Sequence, residues 1–196
     1  VFLWSNLVYS DFWTALRYSL FNVVSIGTTT GFSNTDFGVW PMFAPLYMLL
    51  LAVTAPSAGS TGGGIKMVRT QIVLLQGWRE MTRILHPNAI VPLKVGGKEV
   101  PNNVVYSVLA FLAVYGTATV FMILMMLASG LDFITAFSAV IACMTGAGPG
   151  LGQVGPSFNY ASLTNFQTWT LSFAMLLGRL EIFTVIVLFT PAFWRR

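Results

Sequence analysis

Two stretches decide the fold: Thr28-Thr29-Thr30-Gly31-Phe32 and Thr145-Gly146-Ala147-Gly148-Pro149. Each ends a short apolar helix candidate at the outer side of a hydrophobic region. A chain can present backbone carbonyls at membrane depth only where they line a cavity or replace the water shell of an ion. Glycine readily takes the left-handed angles that turn successive carbonyls toward one axis, and threonine adds hydroxyl oxygens. The two stretches are therefore predicted to form the filter of a cation path. Turns that only allow close helix packing are the alternative.

Composition places the chain among integral membrane proteins. Of its 196 residues, 56% are hydrophobic and 8% are charged, whereas roughly a quarter of the residues of a soluble domain are charged. No charged residue occurs in residues 37–65, 100–131 or 133–178. About 20 apolar residues cross a bilayer as a helix, so the second of these stretches predicts one crossing, at residues 103–129.

The positive charges predict the orientation. Six of the ten Lys and Arg residues lie between Lys66 and Lys98, and Arg195 and Arg196 end the sequence. By the positive-inside rule, residues 66–98 and the C-terminus face the cytoplasm, and the chain returns to it through residues 168–189. Residues 131–167 then begin and end on the outer side, so the apolar helix predicted at residues 132–144 is re-entrant.

The two halves of the chain repeat this design. Asp11-Phe12-Trp13-Thr14-Ala15 and Asp132-Phe133-Ile134-Thr135-Ala136 agree at four of five positions, although Gly31 lies twenty residues after Asp11 and Gly148 sixteen after Asp132. An acidic residue is favourable at the start of a helix. The predicted fold is an all-α integral membrane protein with two repeats, each built of a helix, a re-entrant pore helix and a second helix.

A Pro/Gly-rich segment interrupts the first descending helix: Thr54-Ala55-Pro56-Ser57-Ala58-Gly59-Ser60-Thr61-Gly62-Gly63-Gly64. Proline and glycine at this density disfavour a regular helix. Irregular backbone at membrane depth normally lines a cavity, so the segment is predicted to be a gate loop beneath the filter, with a passive kink as the alternative. A phosphate-binding loop is not favoured, because Ile65 separates the last glycine from Lys66.

Two charged residues lie inside the last hydrophobic region, residues 163–194. Such charges are costly in a membrane and usually face a bundle interior or water. Arg179 is predicted to be a fixed positive charge beside the ion path, with a structural contact to loop carbonyls as the alternative. Glu181 is predicted to pair with a neighbouring helix, since it is two residues from Arg179 and cannot share its helix face.

Four motifs resemble the Trk/Ktr family of potassium uptake proteins: SIGTTTGFS at residues 25–33, GSTGGGIKMVR at 59–69, GPGLG at 148–152 and GRLEIFT at 178–184. The resemblance covers nearly the whole chain. It implies a potassium-channel-like fold with four helix–pore–helix repeats in one subunit. Residues 1–100 and 101–196 resemble the third and fourth repeats, which form the C-terminal half, and residues 1–8 resemble the end of an outer helix.

The same resemblance implies the ion, the partners and the location. K+ is the transported ion and passes through the backbone carbonyls of Thr28, Thr29, Thr30, Gly31, Phe32, Thr145, Gly146, Ala147, Gly148 and Pro149, with no organic cofactor. Arg179 projects toward the gate loop. The partners are an N-terminal half with two further repeats, a second copy in a homodimer, a cytoplasmic nucleotide-binding regulatory subunit and membrane lipid, without nucleic acid. The location is the plasma membrane, which is the inner membrane of the cell.

Two other classes of protein are alternatives. A sodium-coupled secondary transporter also uses broken helices, but it needs an intramembrane acid and only Glu181 is available. A non-conducting membrane assembly partner leaves two filter-like segments unexplained. An enzyme is not predicted, since the spans contain no nucleophile–base pair or metal cluster. Because the sequence starts at Val1 and two segments cannot surround an ion, we expect conduction only when the chain is joined to an N-terminal half.

Overall fold

The computed structural model describes residues 2–57, 59–60, 62–89, 91–180, 182–188 and 190–195, and this part of the chain is mainly helical. The helices are α1 (Phe2–Ser5), α2 (Phe12–Gly27), α3 (Phe43–Thr54), α4 (Met67–Leu85), α5 (Asn102–Ala128), α6 (Phe133–Thr145), α7 (Asn165–Arg179), α8 (Ile182–Leu188) and α9 (Pro191–Trp194). Short 3-10 turns occupy Phe37–Val39, Gly152–Val154 and Tyr160–Ser162. Strands β1 (Lys94–Val95) and β2 (Lys98–Glu99) form an antiparallel hairpin.

Helix α5 is the membrane-crossing candidate. Among the described residues it is the one helix that is both long enough and apolar enough to cross a bilayer. Its bounds agree to within one residue at each end with the crossing predicted at residues 103–129. Helices α3 and α6 are also apolar, but they have 12 and 13 residues, fewer than the roughly 20 that a crossing requires.

Helices α2 and α6 begin in the same way. Asp11 and Asp132 have extended backbones and act as N-caps: their carboxylates accept the backbone N–H of Thr14 at 2.9 Å and of Thr135 at 3.0 Å. Each carboxylate satisfies one of the N–H groups that the first helical turn leaves without an intrahelical partner. The two similar five-residue stretches of sequence are therefore two equivalent helix starts.

The two helices also end in the same way. The Thr28 hydroxyl donates to the Val24 carbonyl at 2.7 Å, and the Thr145 hydroxyl donates to the Ile141 carbonyl at 2.9 Å. These threonines are 117 residues apart, whereas the N-cap aspartates are 121 apart. The four extra residues of the first copy are about one helical turn. The unequal spacing seen in the sequence is thus a difference in helix length.

Helix α6 is the centre of the packing, since α7, α5 and α3 all contact it. Ala136, Ala139 and Ala142 on α6 are fully buried. Small side chains let membrane helices approach closely. At the C-terminal end of α7, Gly178 lies against the backbone of Met144, so that no Cβ fits between α7 and α6 at this point. The end of α6, with the segment that follows it, is therefore held tightly by its neighbours.

The return path through residues 168–189 is divided, not one continuous helix. Helix α7 ends at Arg179, where the Leu180 N–H closes the last turn by donating to the Leu176 carbonyl, and α8 begins at Ile182. The Thr184 hydroxyl donates to the Leu180 carbonyl and satisfies an acceptor that the break exposes. A positive charge in the last turn interacts favourably with the helix dipole, so Arg179 stabilises this end.

Candidate functional site

One cleft of about 510 Å³ joins the parts of the predicted site. It is lined by the first Thr/Gly segment, the second Thr/Gly segment, the Gly-rich loop and the end of α7. The predicted residues along it are Thr28, Thr29, Thr30, Gly62, Gly63, Thr145, Gly146, Gly148 and Arg179. These residues come from separate parts of the sequence, and they are brought together because α2 packs on α3, α3 packs on α6, and α6 packs on α7.

The other predicted filter residues lie beside this cleft. Gly31 packs against the Ala147 carbonyl so closely that a Cβ on Gly31 would overlap it, and Ala147 itself is buried. That same Cβ would be 3.6 Å from Pro149 Cδ. The Phe32 side chain is exposed and lines a neighbouring cleft together with Arg17. The two segments therefore touch through their backbones at Gly31 and Ala147.

The other predicted gate residues lie around the loop. Ser60 and Gly64 line a second cleft of about 200 Å³, which Arg179 also borders. Neither cleft is lined by Thr54, Ala55, Pro56, Ser57 or Gly59. Ala58, Thr61 and Glu181 lie outside the described residues.

The two Thr/Gly segments have the same backbone pattern. Left-handed φ angles occur at Thr29 (+57°) and Gly31 (+85°) in the first, and at Gly146 (+75°) and Gly148 (+91°) in the second. In both, one residue separates the two left-handed positions. When left-handed and right-handed backbone angles alternate, successive carbonyls can point to one side. Successive residues of a β-strand, by contrast, point to opposite sides. A β-branched residue such as Thr29 takes a left-handed φ at a cost on the order of 1–3 kcal/mol, and such strain is concentrated at functional sites.

The N–H groups of the segments point back to the preceding helix. Thr30 N–H donates to the Ser25 carbonyl at 2.8 Å, and Ala147 N–H donates to the Ala142 carbonyl at 3.0 Å. The donor and the acceptor of the second bond each lie 117 residues after those of the first, so the two bonds are equivalent. They satisfy donors of the segments from behind. The carbonyls of Phe32, Thr145 and Gly148 each accept one hydrogen bond and keep a second lone pair for a ligand.

Side chains behind the first segment hold it in place, and this role was not predicted from the sequence. The Ser25 hydroxyl donates to the Phe32 carbonyl at 2.6 Å, and Asn22 Nδ2 donates to Asn34 Oδ1 at 2.7 Å. Asn22 is fully buried. A buried amide is costly unless it is hydrogen-bonded. Asn22 and Ser25 are polar residues in the mainly apolar second half of α2, LFNVVSIG at residues 20–27, and this pattern is the signal in the sequence that points to them.

The second segment is braced by different residues. Leu151 N–H donates to the Ser138 hydroxyl at 2.8 Å, and the Tyr160 hydroxyl donates to the Gly148 carbonyl at 2.7 Å. Ser138 is a polar residue among the apolar residues of α6, so it stands out in the sequence in the same way as Asn22 and Ser25. No local pattern pointed to Tyr160, because it lies twelve residues after the carbonyl that it contacts.

The Gly-rich loop lies directly against both segments. Gly63 N–H donates to the Thr145 carbonyl at 3.0 Å. A Cβ on Gly63 would be 2.7 Å from the carbonyl oxygens of both Met144 and Thr145, and a Cβ on Gly62 would be 3.1 Å from the Thr29 hydroxyl. Real Cβ atoms do not approach backbone oxygens at 2.7 Å. The loop reaches the segments because these two positions are glycines.

The C-terminal end of the loop is tied back to α3 and to the first residues that follow α3. Ile65 N–H donates to the Val53 carbonyl at 2.9 Å, and Met67 N–H donates to the Pro56 carbonyl at 2.9 Å. Gly64 has a φ of +88°, and a Cβ there would be 2.7 Å from the Val53 carbonyl. Residues 62–67 thus follow a folded path with defined hydrogen bonds back to Val53 and Pro56.

Comparison with known proteins identifies the family. Residues 11–196 match the family model TrkH, described as a cation transport protein. The Trk system potassium uptake proteins TrkH of Halomonas elongata and Escherichia coli are 44% and 40% identical to this chain over 189 and 193 residues, covering 95% and 98% of it. The crystal structure of the potassium transporter TrkH from Vibrio parahaemolyticus has a TM-score of 0.90 and 42% identity and covers 98% of this chain.

The matched region is a part of each relative. It covers 39% and 40% of the two TrkH sequences and 41% of the crystallised chain, so this chain spans about two fifths of the length of these relatives. The relatives are named as transport proteins, not as enzymes. The family match extends over nearly the whole chain and confirms the resemblance drawn from the four motifs. The chain belongs to the TrkH family of cation transport proteins, which are membrane proteins.

Proposed function

We propose that this chain forms one side of a potassium path, in which the two Thr/Gly segments act as the filter. The observation that carries the proposal is the repeated backbone pattern on one cleft: two left-handed residues separated by one, with their donors bonded to the helix behind. An ion gives up its water only when protein oxygens replace it, and backbone carbonyls are the groups that do so in potassium filters. The names of the relatives, potassium uptake proteins, support K+ as the ion.

The filter belongs, in this proposal, to two pore repeats at residues 1–100 and 101–196. Helices α2 and α6 are their pore helices, and their C-terminal ends carry the negative end of the helix dipole, which favours a cation nearby. Two segments line one side of a path, so further segments complete the ring of oxygens. The relatives are longer than this chain, which fits an N-terminal half that supplies them.

The loop between α3 and α4 is proposed as the gate. Its backbone lies against the Thr145 carbonyl, so an ion leaving the filter on that side meets the loop. Arg179 lines the cleft on the filter side of the loop and the smaller cleft beyond it. A fixed positive charge there discourages a cation from resting beneath the filter. Movement of the loop away from Thr145 opens the path.

Orientation and partners follow from charge and from family membership. We propose that residues 66–98 and the C-terminus face the cytoplasm of a plasma-membrane protein, as the positive-inside rule indicates. A second copy and a cytoplasmic nucleotide-binding subunit are the proposed partners. The relatives are described as parts of a Trk system, and this description supports assembly with other components.

Substitution of Gly31 tests the filter. Gly31→Ala adds a Cβ at a φ of +85° and against the Ala147 carbonyl, so we expect K+ uptake to fall or its selectivity over Na+ to be lost. Gly97→Ala is the matched control, because Gly97 has a φ of +81° in the β1–β2 hairpin and open space around it. The measurement is K+ and Na+ flux of the intact protein in liposomes.

The control separates the filter from general backbone strain. Both substitutions place an alanine at a similar left-handed φ, but only Gly31→Ala also puts a Cβ against a predicted filter residue, Ala147. Equal effects of the two changes on the K+/Na+ flux ratio would remove the filter assignment. Equal K+ and Na+ flux in the unmodified protein would instead favour a less selective cation path.

A further inference from the structure

The two filter segments are held in place by different means. A Cβ on Gly31 would meet the Ala147 carbonyl and Pro149, so packing fixes that backbone. A Cβ on the equivalent residue, Gly148, would meet no atom within 4 Å. Gly148 therefore stands in open space on the cleft, with a φ of +91°. Its carbonyl needs another restraint to keep one position.

The Tyr160 hydroxyl supplies that restraint. It donates to the Gly148 carbonyl at 2.7 Å, the usual distance for a well-formed hydrogen bond between a hydroxyl and a carbonyl. The Tyr160 ring is partly buried against the hydrophobic cluster around α6 and α7. A carbonyl oxygen has two lone pairs, so the Gly148 oxygen that accepts this bond still has one for an ion.

The loop that carries Tyr160 is itself anchored. Asn159 Oδ1 accepts the Ala161 N–H at 3.0 Å and caps the 3-10 turn that begins at Tyr160. Beyond this turn, Thr164 and Gln167 form a capping box at the start of α7, and Gln167 Nε2 donates to the Ser129 hydroxyl at 2.9 Å. The loop is therefore tied to the end of α5, and the hydroxyl is presented from a defined position.

We propose that Tyr160 is a positioning residue that holds the Gly148 carbonyl at the distance suited to K+ and thereby contributes to the discrimination between K+ and Na+. This inference rests on the proposed function of the cleft as a filter. Na+ is the smaller ion and binds well only if the surrounding oxygens move inward. A carbonyl in open space can make this movement, whereas one that is bonded to an anchored phenol resists it.

Tyr160→Phe is the decisive variant, because it removes the hydroxyl and retains the ring. We expect the K+/Na+ flux ratio of the intact protein in liposomes to fall roughly fivefold, as the loss of one hydrogen bond implies. Maximal K+ flux is expected to stay within about twofold of the unmodified value. Tyr106→Phe is the matched control, since Tyr106 is an exposed residue of α5. It should leave the ratio unchanged.

A second variant separates positioning from packing. Tyr160→Leu removes both the ring and the hydroxyl, and the melting temperature of each purified variant is measured beside its fluxes. The inference is overturned if the K+/Na+ flux ratio is unchanged in Tyr160→Phe and flux or stability is lost only in Tyr160→Leu. That result would mean that the Tyr160 ring contributes packing and that its hydroxyl does not contribute to selectivity. That result would leave the filter itself intact, because the unmodified protein would still select K+.

Discussion

Replacing Gly63 by alanine should open the proposed gate. The Gly63 N–H donates to the Thr145 carbonyl, and a Cβ on Gly63 would be 2.7 Å from two carbonyl oxygens and 2.9 Å from the Thr145 carbonyl carbon. These are backbone atoms at the buried end of α6, which cannot turn away as a side chain can. The alanine methyl group is therefore accommodated by movement of the loop, and the loop leaves the Thr145 carbonyl.

The size of the effect follows from two contributions. Loss of the hydrogen bond costs about 1 kcal/mol, and an extra methyl group in a close-packed site costs about 1–3 kcal/mol. A total on the order of 2 kcal/mol changes the ratio of open to closed loops by about thirtyfold. If the loop is closed most of the time in the unmodified protein, basal flux should rise by a similar factor until the path is fully open.

Gly59→Ala is the matched control, because Gly59 belongs to the same loop and a Cβ there would meet nothing within 4 Å. The measurement is uptake of rubidium, a potassium substitute, by liposomes that contain each variant without activating partners. We expect a large rise for Gly63→Ala and no change for Gly59→Ala. If Gly63→Ala folds, inserts and conducts like the unmodified protein, the loop is a passive kink and the gate assignment is wrong.

Two further substitutions test the packing that supports the site. Gly178→Ala should destabilise the protein by several kcal/mol or prevent folding, because its Cβ would overlap the Met144 backbone; Gly116→Ala, in open space on α5, should be neutral or slightly stabilising in the same thermal assay. Asp132→Ala should cost about 1 kcal/mol at neutral pH through loss of the N-cap. Hydrogen bonds from the Thr135 side chain and backbone lower the pKa of Asp132. This stabilisation is therefore present above the unfolded-state pKa and lost as pH falls through the folded-state pKa, so the stabilities of variant and unmodified protein should converge once the pH is below that folded-state pKa.

Much of the architecture could be read from local sequence. Asp11 and Asp132 marked two helix starts because an N-cap depends only on a side chain and the N–H group three residues later. The charge-free residues 103–129 marked the long helix because a crossing depends on length and hydrophobicity. The family followed from four motifs, since backbone turns that need glycine leave a strict spacing in the chain. These features are local and therefore visible without a fold.

The break after Arg179 was less visible. Residues 163–194 read as one apolar region, because hydrophobicity alone does not mark where a helix stops. The structure ends α7 at Arg179 and satisfies the Leu180 carbonyl with the hydroxyl of Thr184. The C-cap is Leu180, with an ordinary negative φ, so this helix end lacks the left-handed glycine that gives a strong sequence signature.

The sequence by itself determined where the backbone has unusual freedom, at the glycines 31, 63, 146 and 148. It also determined where polar side chains stand among apolar ones and need a partner. Only the tertiary structure decided which of them meet. Gly63 touches the Thr145 carbonyl, Gly31 touches the Ala147 carbonyl, and the Tyr160 hydroxyl reaches the Gly148 carbonyl. Such contacts depend on the relative placement of α2, α3, α6 and α7, which is set by packing between helices and not by any residue's neighbours in sequence.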